Sequence, residues 1–240
     1  MADQTTRTET IAVNDGSFEG HLALPPSNSG PGILLLQEIF GVNDFLTEKA
    51  ADLAALGYVV LAPDVFWRIE PNVALPHDEE SLQQGFGYVG RYMAEIEPAT
   101  KSADLVAALE HLKALPEVAG QKVAAMGYCL GGYLAYLTAA GGSPDTCVSY
   151  YGSGIADHLA LAPQITCSIL FHFGGNDPYI PNDQVEQIAA AFSERSDVTI
   201  RLESSAGHAF ENLLAPQFGM PEPAARSFAA TTSWLAEHLA

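Results

Sequence analysis

The sequence is poor in positive charge. Lysine and arginine total 10 against 29 aspartates and glutamates in 240 residues, a formal net charge of −19. A surface that negative repels phosphate backbones and anionic headgroups, which argues against nucleic-acid and membrane-surface roles. Long hydrophobic runs are missing too: none approaches the roughly 20 residues that a bilayer span needs. The polar start, MADQTTRTET, predicts no secretory leader. Cysteine is scarce, and the odd set Cys129, Cys147 and Cys167 lacks metal-ligand spacing, which points to free thiols in a reducing, cytoplasmic setting. No internal repeat, low-complexity tract or long linker divides the chain, so residues 1–240 are expected to form one domain. What is abundant is apolar side chain: 48% hydrophobic against 16% charged, enough for a large core and too much for disorder.

The apolar residues come in short, continuous runs separated by helical periodicity. Thr8–Val13 and Glu19–Leu24 alternate around Asn14-Asp15-Gly16 and predict a hairpin. Gly32–Leu36, Tyr58–Ala62, Lys122–Met126, Cys147–Tyr151, Ser168–Phe173 and Val198–Leu202 read as strands, the first three covered on both faces. Between them, Asp44–Leu56, Ala99–Leu115, Gly131–Ala140, Val185–Phe192 and Pro223–Leu239 read as helices, the first closed by Gly57. This alternation predicts an α/β fold: a mostly parallel sheet with helices on both faces and an antiparallel hairpin at the N-terminal edge. In such sheets ligands gather at the carboxyl ends of the strands, so chemistry is sought just after each apolar run.

Four places qualify. Gly127-Tyr128-Cys129-Leu130-Gly131-Gly132 follows a strand and opens a helix, the nucleophile-elbow pattern G-x-C-x-G with cysteine in the serine position. The glycines admit a tight, strained turn, and the helix N-terminus favours a thiolate. The plain alternative is a core cysteine at a packing turn; the flanking glycines and the strand–helix context favour catalysis. A thiol needs a base, and of seven histidines His208 stands in a loop between the last strand and the final helix. A solvated loop histidine is the competing reading. The base needs an orienting acid, and Asp177 leaves the SILFHF strand in Gly-Gly-Asn-Asp-Pro. It competes with an ordinary turn aspartate. Last, Gln37-Glu38-Ile39-Phe40-Gly41 follows GILLL, where the Ile39 N–H can join that of Leu130 in an oxyanion hole. Glu38, so near a reactive thiol, should raise its pKa or compete for its proton.

These motifs, with Ala62-Pro63-Asp64, Tyr150-Tyr151-Gly152 and Gly207-His208-Ala209-Phe210, resemble the dienelactone hydrolase (carboxymethylenebutenolidase) family of α/β-hydrolases, from the hairpin to the final helix. The resemblance implies a Cys129–His208–Asp177 triad, an oxyanion hole from the Leu130 and Ile39 amides, and a Glu38 that holds the resting thiol until substrate displaces it. It implies opening of enol-lactones through a thioester acyl-enzyme during breakdown of aromatics, with no metal or organic cofactor. One departure stands out. The two arginines that hold the substrate carboxylate in well-known members align with Leu82 and Asn212, and a tyrosine near the first aligns with Phe86. Either Arg68 or Arg91 substitutes, or the substrate is a less charged ester or lactone, which the net charge favours. Phe66, Trp67, Phe86 and Tyr88 are candidates for an apolar acyl pocket or, equally, core aromatics. A small-molecule lactone or ester is thus the expected partner, with no nucleic acid or membrane, in a monomer or small homo-oligomer. Two rivals remain: a general carboxylesterase on the same residues, and a thiol-based binder or redox sensor built on Cys129.

Overall fold

The computed structural model describes residues 5–240, so the first part of the polar start lies outside it. The chain forms two compact units, Met1–Val123 and Ala124–Ala240. The first opens with β1 (Thr6–Val13) and β2 (Gly16–Ala23), which pair antiparallel with Val13 opposite Gly16. Asn14 and Asp15 are therefore the turn, and the second strand begins at the glycine. β3 (Gly32–Leu36) and β4 (Val59–Pro63) pair in parallel, β4 also accepts β2 antiparallel, and the order in this unit is β1-β2-β4-β3. Every residue of β3 and β4 is buried, as continuous apolar runs require of strands covered on both faces.

Helix α1 (Asp44–Ala55) packs on β4 and β2. The Asn43 side chain caps it by accepting from the Leu46 N–H, and Gly57 ends it at φ +106°. α2 (Glu79–Glu95) and α3 (Pro98–Ala114) complete the unit. The sequence pattern predicted α1 and α3 but passed over α2. Its three glycines lower helix propensity, and only Ser81, Gly85 and Tyr92 are buried along its 17 residues. Asp78 caps it through the Ser81 N–H.

In the second unit β5 (Val123–Tyr128), β6 (Thr146–Tyr150), β7 (Ser168–Gly174) and β8 (Val198–Glu203) lie in that order, all parallel. The connecting helices are α4 (Leu130–Gly142), α5 (Asn182–Ala191) and α6 (Pro221–Leu239), with a 3-10 stretch at Ile155–Gln164 that the sequence pattern also missed. Adjacent residues of β6 show how the layers form. Ser149 Oγ donates to the Gly132 carbonyl of α4, while the Tyr150 hydroxyl meets Thr231 Oγ1 of α6 at 2.6 Å. Successive strand side chains point to opposite faces, so α4 and α6 cover opposite sides of this sheet. The architecture is that of an α/β-hydrolase, mostly parallel with an N-terminal antiparallel hairpin, as predicted. No helix of the described residues is long and apolar enough to cross a membrane.

Candidate active site

Cys129 sits between β5 and α4 as the helix N-cap, at φ +54° and ψ −116°. A left-handed φ on a side-chain-bearing residue costs on the order of 1–3 kcal/mol and persists only where its surroundings hold it. Two glycines make the turn possible. A Cβ at Gly127 would meet the Gly131 carbonyl oxygen at 2.2 Å, and one at Gly132 would meet the Tyr150 carbonyl oxygen at 2.4 Å. The Cys129 N–H donates to the same Tyr150 carbonyl at 3.0 Å, anchoring the turn to β6. Leu130, first in the helix, has an N–H with no intrahelical acceptor, next to the sulfur and at the positive end of the helix dipole.

The loop after β7 and the loop after β8 are tied together. The Gly175 N–H donates to the Glu203 carbonyl at 2.9 Å, the Asn176 N–H to the Ala206 carbonyl at 2.8 Å, and Asn176 Nδ2 to the Ser205 carbonyl. That lacing brings Asp177 to His208. His208 Nδ1 lies 2.7 Å from Asp177 Oδ2, and its Nε2 lies 3.0 Å from Cys129 Sγ. The other carboxylate oxygen, Oδ1, accepts the N–H groups of Tyr179 and Ile180, so Asp177 is fixed by its own turn. Burial alone would push the His208 pKa down. The charge of the Cys129 sulfur and the bond to Asp177 outweigh it and raise the pKa to about 10.

Three residues outside glycine carry positive φ at this place: Cys129, Tyr151 at +37° and Ala209 at +55°. Backbone strain is thus concentrated around His208. Tyr151 and Tyr179 were not picked out for any role from the sequence, yet their rings contact the imidazole, with centroids at 5.1 Å and 5.0 Å. Only the position of Tyr179 two residues after Asp177 hinted at it.

Glu38 and Ile39 are buried in the first unit, directly after β3. Gly85 of α2 closes on the Ile39 backbone, its position 2.9 Å from the Ile39 carbonyl oxygen once a Cβ is built. Asn212 is fully buried, four residues after His208; its Oδ1 accepts the Leu214 N–H. Phe86 is exposed on α2, and Leu82 belongs to the same helix. Arg68 is committed elsewhere: its guanidinium spans Asp15 and Asp104 in four bonds of 2.7–2.9 Å and lies over the Trp67 ring. Trp67 itself stacks on Phe18 and donates to Asp104. Arg91 pairs with Glu95 one turn along α2, in solvent. As substrate-binding cations, both arginines already have carboxylate partners. Phe66 is buried against Tyr88 and Tyr92. Cys147 and Cys167 are buried, and burial pushes both thiols up, Cys167 to about 11.

A nucleophilic side chain on a strand–helix elbow, with a histidine and an aspartate presented from later strand ends, places the chain in the α/β-hydrolase class. Residues 18–239 match the model of the dienelactone hydrolase family. The chain belongs to that family, and its enzyme class is that of a carboxylic ester hydrolase. It is 37% identical to a carboxymethylenebutenolidase of a Pseudomonas species over 232 residues, 95% of this chain and 94% of the other. It is 34% identical to the carboxymethylenebutenolidase of Pseudomonas putida over 209 residues, covering 85% and 86%. Among solved structures, a dienelactone hydrolase-like promiscuous phosphotriesterase from metagenomic libraries superposes with TM-score 0.82 at 28% identity over 99% of both chains. The dienelactone hydrolase of Anabaena variabilis, at 16% identity, TM-score 0.73 and 99% coverage of both, shares the fold.

Proposed function

We propose that Cys129, His208 and Asp177 act as nucleophile, base and orienting acid in opening enol-lactones or cleaving small esters through a thioester acyl-enzyme. The observation that carries this reading is the pair of contacts at His208, 3.0 Å to the sulfur and 2.7 Å to the carboxylate. His208 Nε2, within hydrogen-bond reach of the sulfur, takes the proton of Cys129. The thiolate attacks the carbonyl carbon, and the oxyanion is met by the N–H of Leu130 at the start of α4. Each donor of this kind is worth about 3 kcal/mol of transition-state stabilisation. The imidazolium gives its proton to the departing oxygen. His208 then takes a proton from water, whose oxygen attacks the thioester and frees the acid and the thiol. Every step uses side chains, backbone amides and water, so the scheme calls for no metal or organic cofactor.

The substrate in this reading is neutral. An enol is a good leaving group for a thiolate to expel, and the two candidate carboxylate-holding cations, Arg68 and Arg91, already have carboxylate partners. The names of the Pseudomonas relatives support a place in the degradation of aromatic compounds. The free thiols support a cytoplasmic setting.

Cys129→Ala tests the assignment. It should abolish turnover of both an enol-lactone and p-nitrophenyl acetate while leaving the circular dichroism unchanged; full activity in that variant ends it. Comparing the two substrates in the wild type separates a lactonase from a general carboxylesterase. Iodoacetamide labelling of Cys129, slowed by a lactone that is not consumed, would favour the thiol-based binder.

A further inference from the structure

We propose that Tyr151 and Tyr179 are positioning residues for the Cys129–His208 proton transfer, fixing the plane of the His208 ring and favouring its protonated form. The inference rests on the catalytic role proposed for Cys129 and His208. Hydrogen bonds at Nδ1 and Nε2 pin two points of the imidazole but leave the ring free to turn about the line joining them. Something else must set its plane. The Tyr151 ring meets it at a centroid distance of 5.1 Å and 58°, the Tyr179 ring at 5.0 Å and 72°. At such tilts an edge of one ring meets the face of another, and the positive rim of an imidazolium is drawn to a π face more strongly than that of a neutral imidazole.

The two tyrosines differ in how they are held. Tyr151 is fully buried, backed by Phe210 at 5.3 Å, Tyr150 at 5.9 Å and Tyr128 at 6.2 Å. Its strained backbone is locked by an N–H bond of 2.7 Å to the His172 carbonyl. Tyr179 is 45% exposed and rides on the acid's own turn, its N–H donating to Asp177 Oδ1 at 2.8 Å. Orientation of the acid and of the outer ring is thereby coupled. The titratable groups that meet His208 are Cys129 at the start of α4, Asp177 and Tyr179 after β7, and Tyr151 after β6. The tyrosines are the ones that can be altered without removing the nucleophile or the acid.

The test uses the intact enzyme and the exposed partner, whose replacement spares the core. Histidine ¹⁵N NMR of Tyr179→Leu should show the His208 midpoint lower by about one pH unit, a roughly tenfold shift of its protonation equilibrium. kcat should fall about tenfold with KM little changed, and Tyr179→Phe, which keeps the ring, should restore both. Tyr151→Phe should likewise match the wild type. The proposal is overturned if Tyr179→Leu titrates and turns over as the wild type does, if only KM moves, or if Tyr179→Phe behaves like Tyr179→Leu. An active Cys129→Ala would instead undo the catalytic assignment, a result independent of where His208 titrates.

Discussion

His208 Nδ1 stands 2.7 Å from Asp177 Oδ2, and the two side chains are only 9% and 0% exposed. A hydrogen bond so protected from water fixes the tautomer, placing a proton on Nδ1 and leaving Nε2 to exchange one with the sulfur. Asp177→Asn keeps an oxygen for the Tyr179 and Ile180 amides but can offer Nδ1 an N–H, which reverses the tautomer. We expect kcat to fall by two orders of magnitude or more, toward the ~10⁴ seen when such an acid is made an amide, with the fold intact. Steady-state hydrolysis with circular dichroism checks this; a loss below tenfold would remove Asp177 from its role.

The raised pKa of His208 also has a signature in stability. A group whose folded pKa lies above its unfolded value stabilises the fold fully below the unfolded pKa, and the contribution disappears as pH rises through the folded one. For His208 that window runs from about 6.5 to about 10. The stability difference between wild type and His208→Gln should therefore be largest below pH 6.5 and shrink steadily toward pH 10. Urea denaturation at pH 6, 8 and 10 measures it. A difference that grows with pH would mean the imidazole is buried neutral.

The elbow makes a sharp contrast between glycines. At Gly132 a Cβ would strike a β6 backbone oxygen, so Gly132→Ala must move strand or helix; a loss of 1–3 kcal/mol and of most activity is expected. At Gly87 on α2 nothing lies within 4 Å, so Gly87→Ala should stabilise by about 0.5–1 kcal/mol through helix propensity. Denaturation midpoints of the two variants read out the opposite signs.

Much of this was legible in the sequence because it is written in local patterns. The five-residue run GILLL became β3 without a change of boundary, and Gly57 ended α1 as a left-handed C′ residue. Cys129, Asp177 and His208 each follow a strand, so their presentation at strand ends followed from topology, and the structure brings them within hydrogen-bond reach. What escaped has physical reasons. α2 contains three glycines, which weaken its helix propensity. The contacts of Tyr151 and Tyr179 with His208 depend on tertiary placement across 29 or more residues of chain, for which no spacing rule exists. Arg68 offered a charge in the sequence, but only the structure reveals that Asp15 and Asp104 already neutralise it.

That neutralisation sets the last expectation, on substrate charge. The unit that carries Cys129, Asp177 and His208 has no lysine and three arginines, Arg195, Arg201 and Arg226. Arg195 is bonded to Asp197 and to the Ile165 and Cys167 carbonyls, Arg226 to Glu203, and Arg201 lies out on β8, the strand farthest from β5 in this unit. Taking a carboxylate out of water without a cation costs several kcal/mol, and the net charge of −19 repels anions at longer range. For an enol-lactone and its methyl ester, kcat/KM should be at least tenfold higher for the ester, about 1.4 kcal/mol of transition-state preference. Raising the salt from 0.01 M to about 0.15 M shortens the Debye length from about 30 Å to 8 Å, so it should narrow the gap by helping only the anion. Arg68→Gln should lower the melting temperature and leave the preference where it was. A free acid that outruns its ester, with the advantage lost in Arg68→Gln, would show instead that this guanidinium leaves its two aspartates to hold the substrate.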